Sequence, residues 1–168
     1  MSVETAGFSS SMAIYLIALI NAGSIPGRIL PGWLADKLGF FNVMVIISSL
    51  TGISILALWI PFDYHPSHAG IMVFAVIYGF VSGGFISLLM PCAAKSGDVK
   101  SLGQRFGTFQ LVMAVSSLTG LPIQGAILTR EGSYLGLQLF AAISMIFGTL
   151  LVAFSRYTMV GGSLSKKV

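Results

Sequence analysis

The sequence predicts an all-α fold, a polytopic bundle of five transmembrane helices, and three observations predict it. The first is balance: 55% of the 168 residues are hydrophobic and only 8% are charged, with a mean hydropathy of +0.93. That leaves too little polar surface to cover a water-soluble globule of this size. The second is spacing. The charged residues divide the chain into five uncharged intervals, Thr5–Gly27, Leu38–Phe62, Tyr64–Ala94, Phe106–Thr129 and Gly132–Ser155. Each reaches the roughly twenty residues a helix needs to cross a hydrocarbon core. A β-barrel would instead show alternating strands of about ten residues. The third is the side on which cations fall. Counting ends alternately, Arg28, Lys37, Lys95, Lys100, Arg105, Arg156, Lys166 and Lys167 share one side and Arg130 stands alone on the other. By the positive-inside rule the N-terminus lies outside and the C-terminus in the cytoplasm.

The same placement accounts for the net charge of +4 without an anionic partner, and the basic residues lack the length and aromatic interleaving of a nucleic-acid patch. Cys92 is the single cysteine, so neither a disulfide nor a thiolate metal site forms within one chain. The N-terminal lead carries Glu4 and no basic region, so the first apolar run reads as a retained span rather than a signal peptide.

The expected spans cover about 10–29, 41–60, 71–93, 106–128 and 134–154, with a cytoplasmic tail over 155–168. In the first, Asn21, Ser24 and Arg28 fall on one helical face. An arginine inside a span is costly unless it snorkels to the headgroups or faces water. Its planar fork of donors suits a carboxylate, so Arg28, Ser24 and Asn21 are candidates for binding a substrate. Gly23 and Gly27 form a G-x-x-x-G pair for close helix packing, with Pro26 between them as a source of a kink.

The stretch GRILPGWLADKLG, Gly27 to Gly39, holds Arg28, Asp36 and Lys37 between two apolar runs and reads as an intracellular loop. Within it, Gly32, Asp36, Lys37 and Gly39 match G-x-x-x-D-(R/K)-x-G. This resembles the signature loop of the major facilitator superfamily, found between its second and third helices and, more weakly, between its eighth and ninth. Phe40 and Phe41 replace the two basic residues that usually follow, which favours the second copy. NAGSIPGR and LPGWLAD further resemble the eighth helix of fungal monocarboxylate-transporter-like proteins. There an arginine matching Arg28 is implicated in substrate binding, with an aspartate one turn earlier; Ser24 stands at that place here, which removes a shared proton-coupling device.

The second span carries Thr51 and Ser54 inside and Trp59 as an interfacial anchor. The linker PFDYHPSH follows, in which His65 and His68 read as solvated residues and not as a metal site. The third span is bare on one face, with Gly79, Ser82, Gly83, Gly84 and Ser87, and is expected to be pressed on by other helices. Tyr78 offers it a hydroxyl for a cavity, and Pro91 marks its exit. Lys95 to Arg105 reads as a solvated connection. In the fourth span Gly120, Pro122 and Gly125 predict a kink or close contact, and Gln124 a hydrogen bond within the bundle; this segment resembles the glycine-proline stretch of the family's eleventh helix. Arg130 and Glu131 form an exposed outer turn. The fifth span has Gln138 as its one amide and ends at Arg156, before a tail with Gly161, Gly162, Lys166 and Lys167 that reaches anionic lipid.

No catalytic set, phosphate loop or metal cluster emerges, which argues against an enzyme and against cofactors. The resemblance implies part of a secondary transporter, helices eight to twelve of a twelve-helix fold, with the lipid bilayer, a monocarboxylate or similar small organic anion, and a missing N-terminal half as partners. The plasma membrane is the expected location. Helices two to six are the alternative mapping. A non-transporting membrane subunit that uses its glycine faces for assembly is the rival function, and Arg28 with Asn21 separates the two.

Overall fold

The computed structural model describes residues 10–61, 68–132 and 134–159. The N-terminal lead, the linker with His65, the side chain of His68 and the tail beyond Met159 lie outside the described residues. Five helices follow one another: α1 (Ser10–Leu38), α2 (Phe40–Ser54), α3 (His68–Lys95), α4 (Leu102–Glu131) and α5 (Leu135–Met159). All five elements are long and apolar enough to cross a membrane, α2 with the turn that extends it. No strand occurs among the described residues.

The expectation of a loop from Gly27 to Gly39 is overturned. Helix α1 continues through Pro26 and Pro31 to Leu38, and the chain reverses at Gly39 alone, with φ 98° and ψ 141°. A proline inside a helix forfeits one backbone bond and crowds the carbonyl four residues back. Here Pro31 is buried and packs on Gly84 of α3, where an added methyl group would lie 2.9 Å from its ring. That packing offsets the lost bond. The helix holds its last turn with Gly39 N–H donating to the Ala35 carbonyl at 2.8 Å. Asn42 Nδ2 donates to the Leu38 carbonyl at 2.6 Å, capping an otherwise open end.

Helix α2 widens into a π-turn over Ile55–Trp59. The cause lies just beyond it. Pro61 has no N–H, and its ring would crowd the Ala57 carbonyl in a regular helix. The wider turn, in which Ile60 N–H reaches back to the Ile55 carbonyl, relieves that crowding. Pro91 similarly fails to end α3, which runs on to Lys95. The closing residue of α4 is Gly132, left-handed at φ 62°, with its N–H on the Leu128 carbonyl.

Helices α1 and α3 run parallel and pack most extensively of all pairs; α2 lies against α3 and α5. The buried core, made of Ala35, Phe41, Val43, Met44, Ile47, Leu88 and Cys92, sits at the Gly39 end of these helices. The hydroxyls inside it are spoken for by their own helices. Ser48 and Thr51 donate to the Met44 and Ile47 carbonyls, and Thr149 in α5 to that of Met145. Helix α4 buries no residue and packs far less extensively on its neighbours than α1 does on α3.

Candidate functional site

The α1/α3 crossing is built from glycines facing backbone. A methyl group on Gly23 would lie 2.6 Å from the Val76 carbonyl oxygen, and one on Gly83 2.9 Å from that of Ser24. One on Gly27 or Gly79 would overlap the Phe80 or Ile20 carbonyl outright. Four glycines in register thus bring two helix backbones into contact, each Cα against a carbonyl of the other helix.

This crossing sets the position of the candidate substrate-binding residues. Arg28 directly follows Gly27 and is turned away from α3, exposed and without a side-chain partner among the described residues. The unbroken helix puts it eight residues before Asp36, roughly 12 Å along the axis, and so within the span and not in a loop. Asn21 is also exposed. Ser24 is not available as a donor: it packs beside Gly83, and its hydroxyl donates to the Asn21 carbonyl at 2.8 Å. Tyr78 is half-buried in a different setting, as the last member of an aromatic column. Trp59 stacks on Phe74 at 5.9 Å between ring centres, and Phe74 meets Tyr78 at 5.5 Å. Gln124 is half-buried on α4. The structure therefore leaves Arg28 and Asn21 on the open side of α1, Tyr78 in its aromatic column and Gln124 on α4, the helix that buries nothing.

Of the motif residues, Gly32, Asp36 and Lys37 occupy the last turns of α1 and Gly39 is the turn itself. Asp36 is exposed, and Lys37 Nζ lies 3.6 Å from the centre of the Trp33 ring. On α4, Gly120 and Gly125 face nothing within 4 Å, so the close contact expected there is not made among the described residues, and the helix runs on through Pro122.

Two residues carry more structure than their sequence context suggests. Arg105 is half-buried inside α4 rather than solvated in a loop. Its Nη1 donates to the Ala93 carbonyl at 2.9 Å and to Ser96 Oγ at 2.8 Å, and its Nη2 donates to the Asp98 carbonyl. The guanidinium therefore closes the C-terminal end of α3, where a cation is favoured. Beside it Ser96, Gln104, Arg105, Thr108, Phe109 and Val112 line a cavity of about 610 Å³. Gln138 is fully buried, on the α5 face that Thr149 shares, and neither amide atom has a partner among the described residues.

A bundle of five helices long and apolar enough to span, one of them carrying an arginine without a partner among the described residues, defines an integral multi-pass membrane protein. Comparison with known proteins then gives the family. The sequence profile described as Major Facilitator Superfamily matches residues 2–166, and the chain belongs to that superfamily. It is 48% identical over 161 residues to the MFS-type transporter hasB of Aspergillus fumigatus, covering 94% of this chain and 36% of the relative. A Gibberella moniliformis MFS-type transporter is 40% identical, covering 98% of this chain and 39% of the relative. The agnestins efflux protein AgnL12 of Paecilomyces divaricatus is 36% identical, covering 95% and 36%. The chain thus spans little more than a third of the length of these curated relatives, which are transporters and not enzymes. No solved structure gives a significant match.

Proposed function

We propose that this chain acts as helices eight to twelve of a twelve-helix secondary transporter, completed by an N-terminal portion equivalent to the remaining length of its relatives. Its substrate is a small organic anion, a monocarboxylate or a compound like it, and Arg28 supplies the charge that meets it. The reading rests on one observation: an exposed arginine, without a partner among the described residues, inside the length of a spanning helix. Such a residue is costly in hydrocarbon and finds its stabilisation against water or an anion. Asn21, two turns away on the same face, adds an amide to the same path. Relatives named for the efflux of agnestins and of aspyridones favour export as the direction.

The test is Arg28→Ala and Arg28→Lys in the complete transporter, with export of labelled small carboxylates measured from loaded cells. Arg28→Ala abolishes export while membrane insertion is unchanged, and Arg28→Lys restores only part of it, because the fork of donors is lost. Export at the parent rate in Arg28→Ala would remove the substrate role and leave the glycine faces of α1 and α3 as those of an assembly subunit. The plasma membrane is the proposed location, with the basic end of the bundle in the cytoplasm.

A further inference from the structure

Most polar side chains buried in the bundle are satisfied within their own helices. Ser48, Thr51, Ser54 and Thr149 each donate to a carbonyl three or four residues back. Gln138 is the exception. Its side chain is wholly buried, and neither Oε1 nor Nε2 has a partner among the described residues. Leaving a buried amide unbonded is costly, and native interiors satisfy such groups with protein or with ordered water.

The register of α2 against α5 shows what Gln138 stands beside. A methyl group on Gly52 would touch Ile146 and Met145, and Arg156 near the end of α5 bonds Asn42 near the start of α2, so the two helices run antiparallel. Gln138 lies seven residues before Met145, on the same face and roughly 10 Å further from the Gly39 end of the bundle. Leu56 follows Gly52 by four residues on the matching face of α2, and its carbonyl points on along the helix towards the level of Gln138. This part of α2 is the π-turn over Ile55–Trp59, which packs on α5.

The π-turn leaves that carbonyl open. Its regular donor would be Ile60 N–H, which bonds the Ile55 carbonyl instead. The next donor along would be Pro61, which has no N–H. An open acceptor on α2 and an unsatisfied amide on α5 thus stand at one level of one seam. They are not bonded to each other, since Nε2 has no acceptor within reach among the described residues. Polar groups placed opposite but too far apart for a direct bond are joined by water, and ordered water is one of the means by which a carbonyl freed by proline inside a spanning helix is satisfied.

We infer that the α2/α5 seam binds a single water, which accepts from Gln138 Nε2 and donates to the Leu56 carbonyl. Two polar partners suffice to hold a buried water. The ligand is neutral because neither helix carries a carboxylate to compensate a cation, and the one cation on either, Arg156, lies at the far end of α5.

The test uses the full chain in bilayers of deuterated lipid, with isotope-labelled glutamine side chains read by proton-detected magic-angle-spinning NMR. Loss of a signal in Gln138→Met, which keeps the shape of the side chain, identifies the Gln138 amide. In the parent chain magnetisation passes from water to that amide, although it is closed off from bulk solvent. Pro61→Ala supplies the missing N–H and lets the turn relax to a regular helix, so Ile60 N–H returns to the Leu56 carbonyl. The transfer to Gln138 is then lost while its amide signal remains. No transfer from water to Gln138 in the parent overturns the proposal. Undiminished transfer in Pro61→Ala overturns it too, because the water would then be held by a group other than the π-turn. A coupling across a direct hydrogen bond from Gln138 Nε2 to the Leu56 carbonyl would equally overturn it.

Discussion

Gly39 is the residue on which the α1–α2 reversal depends. Its φ of 98° with ψ of 141° lies where a side chain collides with its own backbone, and only glycine enters that region without strain. The neighbouring side chains hold the turn from outside. Asn42 caps Leu38, and its Oδ1 accepts from Arg156 Nε, tying the reversal to α5. Gly39→Ala therefore costs about 1–3 kcal/mol and lowers the unfolding midpoint of the detergent-solubilised chain followed by circular dichroism. The helical content before the transition stays the same, because the strain sits in one residue. An unchanged midpoint would show that the turn has another conformation. The same residue shows why the motif reading succeeded in part. A glycine after an aspartate and a lysine signals a reversal, and the reversal is there, though confined to one residue and not spread over thirteen.

Between elements, the α1/α3 crossing decides which glycines matter. In sequence, Gly23 and Gly27 on α1 look much like Gly120 and Gly125 on α4, since each pair flanks a proline inside an apolar run. The structure separates them: the first pair touches backbone carbonyls, whereas the second faces nothing. Gly27→Ala drives a methyl group into the Phe80 carbonyl, and two backbones cannot yield as a side chain does. It destabilises the chain by about 1–3 kcal/mol or more. Gly32→Ala, one turn beyond on the same helix, meets nothing within 4 Å and gains about 0.5–1 kcal/mol of helix propensity. Thermal melts of the two variants should move in opposite directions; a common shift would mean that propensity and not the crossing governs. The existence of the spans was legible, because a bilayer demands a long apolar run whatever its neighbours. The ends were less so. Pro91 reads as an exit, yet the helix runs past it, and Pro31 sits inside α1 against Gly84, a contact that no local rule contains. Arg105 was hidden for the same reason: its bonds run to Ala93, Ser96 and Asp98 across a connection whose path the sequence does not show. Arg28 stands out in sequence because an arginine in an apolar run needs no tertiary contact to be conspicuous; its role in binding is a proposal.

At the scale of the molecule, the contacts gather the cations at one end. Lys95 Nζ lies 5.9 Å from the Phe40 ring centre, just beyond the reversal that Lys37 precedes; Arg156 reaches Asn42, and Arg105 reaches Ala93. Arg130 lies twenty-five residues along α4 from Arg105, roughly 38 Å at the helical rise, which exceeds the roughly 30 Å hydrocarbon core. The two ends of α4 are thus far enough apart to emerge on opposite faces of the bilayer, and we propose the cytoplasm for the richer end, because translocating cations is costly. Single-cysteine variants check this directly. With the buried Cys92 replaced by alanine, Arg130→Cys reacts with a membrane-impermeant maleimide in sealed right-side-out vesicles. Lys100→Cys and Lys37→Cys react only after permeabilisation. Reaction of Lys100→Cys and Arg130→Cys from the same face would mean that α4 does not span. A complete inversion of the pattern would keep the bundle and reverse its orientation.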